Sequence, residues 1–247
     1  MRYGEIIELG RHRLMCGDAG KREDIEALLD GENVDLVLTD PPYGIRCQAK
    51  DGAIGHKVNR AIVGARDERF LNVRLSSNHY PMLIGDDSTD TAREYWQASQ
   101  DLTDTHIIWG GQYFAHFLPI SGAWIFWDKH TGNNDFSDGE LAWCSRGKRV
   151  RYYEQLWSGA CRSGSCTLNP RPAIHPTQKP VELHARILED FSAEGDIVLD
   201  CFGGSGTTLI ACEVTGRRCF MMELSPEYCD IIINRYNTLT KGAIAFG

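Results

Sequence analysis

The feature that most constrains this chain is a short apolar run, Ile197-Val-Leu-Asp200, that breaks into glycines at 203, 204 and 206 and resumes as a helical pattern. A strand that enters a helix through glycines belongs to a parallel α/β sheet. The glycines let the backbone approach a ligand above the strand's C-terminal edge. The rest of the chain repeats the alternation. Residues 3–16 read as a hairpin with Gly10 near its turn, and 22–30 as a helix with Ile25, Leu28 and Leu29 on one face. Val34–Thr39, 106–109, 123–127, 150–157, 197–199 and 218–222 read as strands, and 91–102 and 207–215 as helices. Pro180 suits the first turn of a helix striped by Val181, His184, Ile187, Leu188 and Phe191, and Ser225-Pro226 opens the last one. Continuous apolar strands separated by helices predict a mostly parallel sheet covered on both faces.

No repeat or linker splits the 247 residues, so a single domain over 1–247 is expected. Residues of about 45–85 are basic, mixed and too long for an ordinary loop, which marks an insertion. With 42% hydrophobic and 24% charged residues, disorder is excluded. No apolar run approaches the roughly 18 residues of a membrane span, and the charged start lacks a signal-peptide core, so a cytoplasmic protein without a membrane partner is expected. The nine cysteines contain no CxxC pair, the closest spacing being Cys161-x4-Cys166. That favours buried reduced thiols over disulfides or a zinc ribbon, and no metal is expected.

Twenty-three residues after Asp200 the next strand ends at Glu223, where a carboxylate can accept both hydroxyls of a ribose. A phosphate-binding loop would need Gly-Lys-Ser/Thr, and no lysine lies in this one; the third glycine of a dinucleotide fingerprint would fall at Leu209. A carboxylate in the loop, Asp200, repels a pyrophosphate but suits a ligand carrying an ammonium and a sulfonium. S-adenosylmethionine fits that description.

The strand 34–39 ends in Asp40-Pro41-Pro42-Tyr43. Two prolines cannot donate to a ladder, so the strand stops and its backbone stiffens. Asp40 and the free Pro41 carbonyl are two acceptors for an exocyclic amine, and Tyr43 offers a ring on which a flat base can stack. Holding an NH2 by two acceptors turns its lone pair toward an electrophile, without a strong base.

The net charge by itself argues against a nucleic-acid partner, but the charge is not evenly spread. Against a net charge of −8, residues 44–74 hold seven Lys/Arg to three Asp/Glu, and residues 144–172 hold six to one. Two basic segments on an acidic body can form one basic face. Arg60, Arg66, Arg69, Arg149 and Arg151 are the candidate phosphate contacts.

Three segments taken together, Thr39-Asp-Pro-Pro-Tyr-Gly44, His175-Pro-Thr-Gln-Lys-Pro180 and Leu199-Asp-Cys-Phe-Gly-Gly-Ser-Gly-Thr-Thr208, resemble the DNA amino-methyltransferases that modify adenine N6 or cytosine N4. The tetrapeptide precedes the cofactor loop, the permuted order of the β-group. Cys201 stands where family members commonly have proline. The resemblance implies a Rossmann-like α/β fold, a mostly parallel seven-stranded sheet with one antiparallel strand. It also implies S-adenosyl-L-methionine as cofactor and double-stranded DNA as substrate, the target base being extruded from the duplex. It assigns Asp40, Pro41, Pro42 and Tyr43 to catalysis, and Asp200, Phe202, Gly203, Gly204, Ser205, Gly206, Thr207 and Glu223 to the cofactor. Asp18, in Gly17-Asp18-Ala19, is expected at the cofactor's adenine, and Thr177 and Lys179 at its methionine end. Residues 106–113 resemble a further pocket wall, with Trp109 in the core. The initial Asp of the tetrapeptide leans toward adenine, with cytosine N4 the alternative and RNA or a protein amide behind it. A homodimer and a cognate restriction endonuclease are open as further partners.

Overall fold

A computed structural model of the chain describes residues 1–46, 84–130, 137–158, 161–162 and 177–244. Most of the basic insertion, with Arg60, Arg66 and Arg69, and the first two residues of the second segment, His175 and Pro176, lie outside these residues, as does most of 159–176.

Eleven strands and five α-helices are described: β1 (Ile6–Leu9), β2 (His12–Cys16), α1 (Arg22–Leu29), β3 (Leu36–Thr39), α2 (Asp90–Ser99), β4 (His106–Trp109), β5 (Trp124–Asp128), β6 (Gly139–Cys144), β7 (Val150–Glu154), β8 (Trp157–Ser158), β9 (Cys161–Arg162), α3 (Val181–Phe191), β10 (Ile197–Asp200), α4 (Thr207–Thr215), β11 (Arg218–Glu223) and α5 (Pro226–Ile244). The main sheet runs β1-β2-β11-β10-β3-β4-β6-β5-β7, and β8 and β9 form a separate two-stranded piece. From β2 to β5 there are seven strands, of which only β6 is antiparallel to its neighbours. This is the expected Rossmann-like sheet, extended at one edge by the hairpin strand β1 and at the other by β7, which runs parallel to β5.

Side chains alternate strictly across the central strands. Leu14, Leu36, Leu38, Val198, Cys219 and Met221 face α3, α4 and α5. Met15, Val37, Leu199, Phe220 and Met222 face α1 and Tyr95 of α2. Both faces are buried, which is why these strands read as continuous apolar runs. Gly216, at φ +77°, ends α4 and returns the chain to β11.

The differences from expectation are local. Pro180 stands just before α3 rather than in its first turn, and Leu183 joins the buried stripe. Helix α2 ends at Ser99, and β7 at Glu154. Strand β6 was not expected: Gly-Glu-Leu-Ala-Trp-Cys lacks β-branched residues and shows no alternation, and it becomes a strand because it fills the slot between β4 and β5. Cys16, Cys144, Cys201, Cys212, Cys219 and Cys229 are buried free thiols.

Leu188 of α3 is fully buried against the sheet. Replacing it by Ala is expected to destabilise the fold by about 2–5 kcal/mol, read as a lower urea midpoint at unchanged slope.

Candidate active site

The C-terminal edge of the parallel strands gathers the chemistry. Parallel register places Leu199 beside Val37 and Phe220, so Asp200, Asp40 and Glu223 emerge together. Gly17 follows β2 and donates its N–H to the Glu223 carbonyl (3.1 Å), which brings the Asp18 turn alongside. Because β6 is antiparallel, its first residues, Gly139 and Glu140, arrive at this same edge.

The cofactor side is built from acceptors. Glu223 accepts the backbone N–H groups of Gly204 (2.7 Å) and Ser225 (2.8 Å). Burial pushes its carboxyl up to about 7. Asp200 accepts the Thr39 hydroxyl (2.7 Å) and the Phe202 N–H (3.1 Å), and burial pushes it up to about 6. Asp200 thus ties the glycine loop to the strand that ends in Asp40. Gly204 and Gly206 hold φ of +52° and +78°, and a Cβ at Gly203 would lie 2.9 Å from Met221. Arg235 of α5 donates to the Ser205 carbonyl (2.8 Å), and Thr207 donates to the Lys179 carbonyl (3.2 Å). Phe202 packs edge-on against Tyr95. Asp18, half-exposed, accepts the Gly20 N–H (3.0 Å). Acidic acceptors beside a glycine loop that contains no Lys or Arg fit a cationic nucleoside with free hydroxyls, and would repel a pyrophosphate.

A second cluster centres on Asp40. Its Oδ1 accepts the Tyr43 hydroxyl (2.7 Å), and its Oδ2 accepts the Lys179 ammonium. Tyr43 stacks on Tyr113 (centroids 5.2 Å, 22°) and meets Phe114 edge-on. Gly110, at φ +72°, follows β4 and passes so close that a Cβ there would sit 2.2 Å from Tyr43 Cε1. Trp109 is fully buried, as expected for a core residue.

Two placements add to what the sequence showed. Lys179 is 4% exposed, and its ammonium reaches Asp40, Tyr43 and Glu140. Arg149 and Arg151 are not brought to the site. Trp124 pairs with both Trp143 and Val150, which puts the β6–β7 turn at the opposite edge of the sheet from Asp40. Arg151 there pairs with Asp190 (3.0 Å) and lies over Phe191. Glu140 was missed by sequence reasoning. An isolated Glu beside an apolar stretch reads as a strand-end residue, and only the antiparallel return of β6 carries it to Lys179.

Residues 127–234 match the family model described as DNA methylase of the N6/N4 type. The chain is 27% identical over 268 residues to the type II methyltransferase M.HpaI of Haemophilus parainfluenzae, covering 93% of this chain and 76% of that protein. Among solved structures it is similar to TTHA0409 of Thermus thermophilus, solved in complex with S-adenosyl-L-methionine, with a TM-score of 0.51 and 22% identity over 94% of this chain and 95% of the other. It is also similar to PvuII DNA methyltransferase, a cytosine-N4-specific enzyme, with a TM-score of 0.52 and 16% identity over 93% and 92% of the two chains.

Glu223 carries its proton to higher pH in the folded protein than in the unfolded chain. The ligand-free fold therefore loses stability as pH rises from about 4.5 through about 7. Glu223→Gln should flatten that decline in pH-dependent thermal melts. The same variant should weaken S-adenosylmethionine binding at pH 8 and remove its weakening below pH 7, which is roughly up to tenfold per pH unit in the wild type. Gly110→Ala should lower methyl transfer more than tenfold by displacing Tyr43, with cofactor affinity retained in calorimetry.

Proposed function

We propose that this chain is a β-group DNA amino-methyltransferase dependent on S-adenosylmethionine, a reading that its likeness to DNA methylases supports, and that it methylates adenine at N6 in duplex DNA. The observation that carries the reading is Asp40, followed by two prolines and bonded to Tyr43 (2.7 Å), on the same sheet edge as the acceptor wall of Asp18, Asp200 and Glu223. The initial Asp of the tetrapeptide supports adenine over cytosine N4.

Glu223 would hold the ribose hydroxyls, Asp18 the adenine amino group, and the 203–206 loop would let the backbone close on the nucleoside. Asp200 acts on that pocket through Thr39 and Phe202, by fixing the loop against β3. Bound there, the cofactor supplies an electrophilic methyl group on a sulfonium. Asp40 and the Pro41 carbonyl receive the two N–H donors of the target amine, which leaves the nitrogen lone pair directed at that methyl. Tyr43 bears on the flat base. Adenine N6 is paired in the duplex, so the base must leave the stack to reach Asp40, and the unpairing costs a few kcal/mol.

The DNA would lie across the catalytic edge. The basic insertion after Gly44 begins there, and we assign phosphate contacts to its Arg60, Arg66 and Arg69. We place the enzyme in the cytoplasm, where reducing conditions suit its buried thiols, and pair it with a cognate restriction endonuclease. No helix among the described residues is long and apolar enough to cross a membrane.

The test is transfer of tritiated methyl groups to DNA, RNA and protein, followed by nucleoside analysis. N6-methyladenine from duplex DNA is expected; N4-methylcytosine would replace the adenine assignment, and label confined to RNA or protein would end the DNA reading. Asp40→Ala should abolish transfer while calorimetric cofactor affinity stays within about twofold. Turnover above a tenth of wild type would remove Asp40 from the mechanism.

A further inference from the structure

Five side chains from four parts of the fold form one continuous charged chain: Lys129, Glu140, Lys179, Asp40 and Tyr43. Lys129 bonds Glu140 Oε1, Lys179 bonds Asp40 Oδ2, and the Lys179 ammonium is 3.3 Å from Glu140 Oε2. The Tyr43 hydroxyl, 3.3 Å from the same ammonium, donates to Asp40 Oδ1. Trp109 lies beneath Lys179, its ring centroid 5.1 Å from Nζ, and confines the ammonium to the space between the two carboxylates.

Two lysines and two carboxylates make a neutral set, as an interior requires. It has one consequence for chemistry: both oxygens of Asp40 are engaged. An amine that needs an acceptor there must displace a partner. Glu140 Oε2, buried and 3.3 Å away, makes no hydrogen bond among the described residues. It is a second anionic seat for the ammonium, within a small side-chain movement of the first.

We propose that Lys179 alternates between two carboxylates, resting on Asp40 while the base site is empty and shifting to Glu140 when the target amine takes Asp40 Oδ2. Glu140 and Lys179 are then positioning residues for methyl transfer. The inference rests on the functional reading above, in which Asp40 receives the amine. After the shift Lys179 still lies beside Asp40 and keeps it ionised without occupying the acceptor. Burial alone drives Asp40 toward its protonated form, Lys179 opposes this, and Glu140 adds to it. Burial also pushes Glu140 up, but Lys179 and Lys129 outweigh it and hold the carboxyl down at about 2, ready to receive a cation. The other titratable groups facing the chain are Tyr113, Asp200 and His184. The last is held neutral, at about 3, by burial and by Lys179 and Arg235.

The experiment measures methyl transfer to duplex DNA between pH 5.5 and 9 at saturating cofactor, for wild type, Lys179→Met, Glu140→Gln and the double variant, with calorimetric cofactor affinity and thermal melts. Lys179→Met leaves two half-buried carboxylates facing each other, so the acid limb of kcat should move up by at least one pH unit and transfer at pH 7.5 should fall more than 100-fold. Removing the second charge should relieve this: Lys179→Met/Glu140→Gln should recover at least tenfold over Lys179→Met. Glu140→Gln alone denies Lys179 its second seat, and the KM for DNA should rise about tenfold, more than kcat falls. Cofactor affinity should stay within about twofold throughout.

A double variant no better than Lys179→Met, or Glu140→Gln with wild-type KM, overturns the proposal. So does Lys179→Met that loses cofactor affinity with an unmoved acid limb, which would put Lys179 at the cofactor's methionine end. If Lys179→Met fails to fold, the KM of Glu140→Gln decides. A wild type that methylates no DNA is a distinct result and counts against the functional reading itself.

Discussion

The parallel pairing of β3, β10 and β11 is the constraint on which the site depends. With Val37 beside Leu199 and Leu199 beside Phe220, the three strands end within a residue or two of one another. Their terminal carboxylates, Asp40, Asp200 and Glu223, then share one edge. A slip of one residue would turn each strand's side chains to the opposite face and bury the wrong set against the helices. The hydrophobic alternation that secures the core therefore also secures the spacing of the acids. The Thr39–Asp200 hydrogen bond (2.7 Å) is the local expression of that register, joining the cofactor loop to the strand that delivers Asp40.

Along this edge the acids divide into two electrostatic classes. Asp200 and Glu223 are held by neutral donors, hydroxyl and backbone N–H, and burial raises both. Such groups gain from a ligand that brings positive charge or hydroxyl donors. Asp40 and Glu140 are instead matched to Lys179 and Lys129. A charged group that is buried and paired can exchange partners at modest cost, whereas an unpaired one would simply neutralise. One half of the site thus holds its carboxylates without countercharge, and the other holds them against lysines.

Much of this was legible in the chain. Gly203, Gly204 and Gly206 marked a tight strand-to-helix turn at the sheet edge, and Glu223 at the end of the next strand made a cofactor loop the better reading of it. Pro41-Pro42 marked the strand end that exposes Asp40 and Tyr43. The buried faces of α1 and α3 followed from 3.6-residue periodicity. Strand β6 was not legible, because Gly139–Cys144 has neither alternation nor β-branched residues and owes its conformation to the two strands that flank it. Arg149 and Arg151 read as candidate phosphate contacts in a basic segment. Their place at the far edge depends on the direction of β7, which charge cannot report.

By itself, the order of residues determined the doubly covered parallel sheet, the glycine loop after Asp200 and the strand-ending Asp40-Pro41-Pro42-Tyr43 tetrapeptide. Each is a local pattern whose physics acts over a few residues. Tertiary structure alone decided that Lys179, 139 positions from Asp40, sits on its carboxylate, and that Glu140 shares it. The partnership exists because an antiparallel strand returns Glu140 to the same edge and because an ammonium buried over Trp109 requires countercharge from whatever elements the fold has brought there.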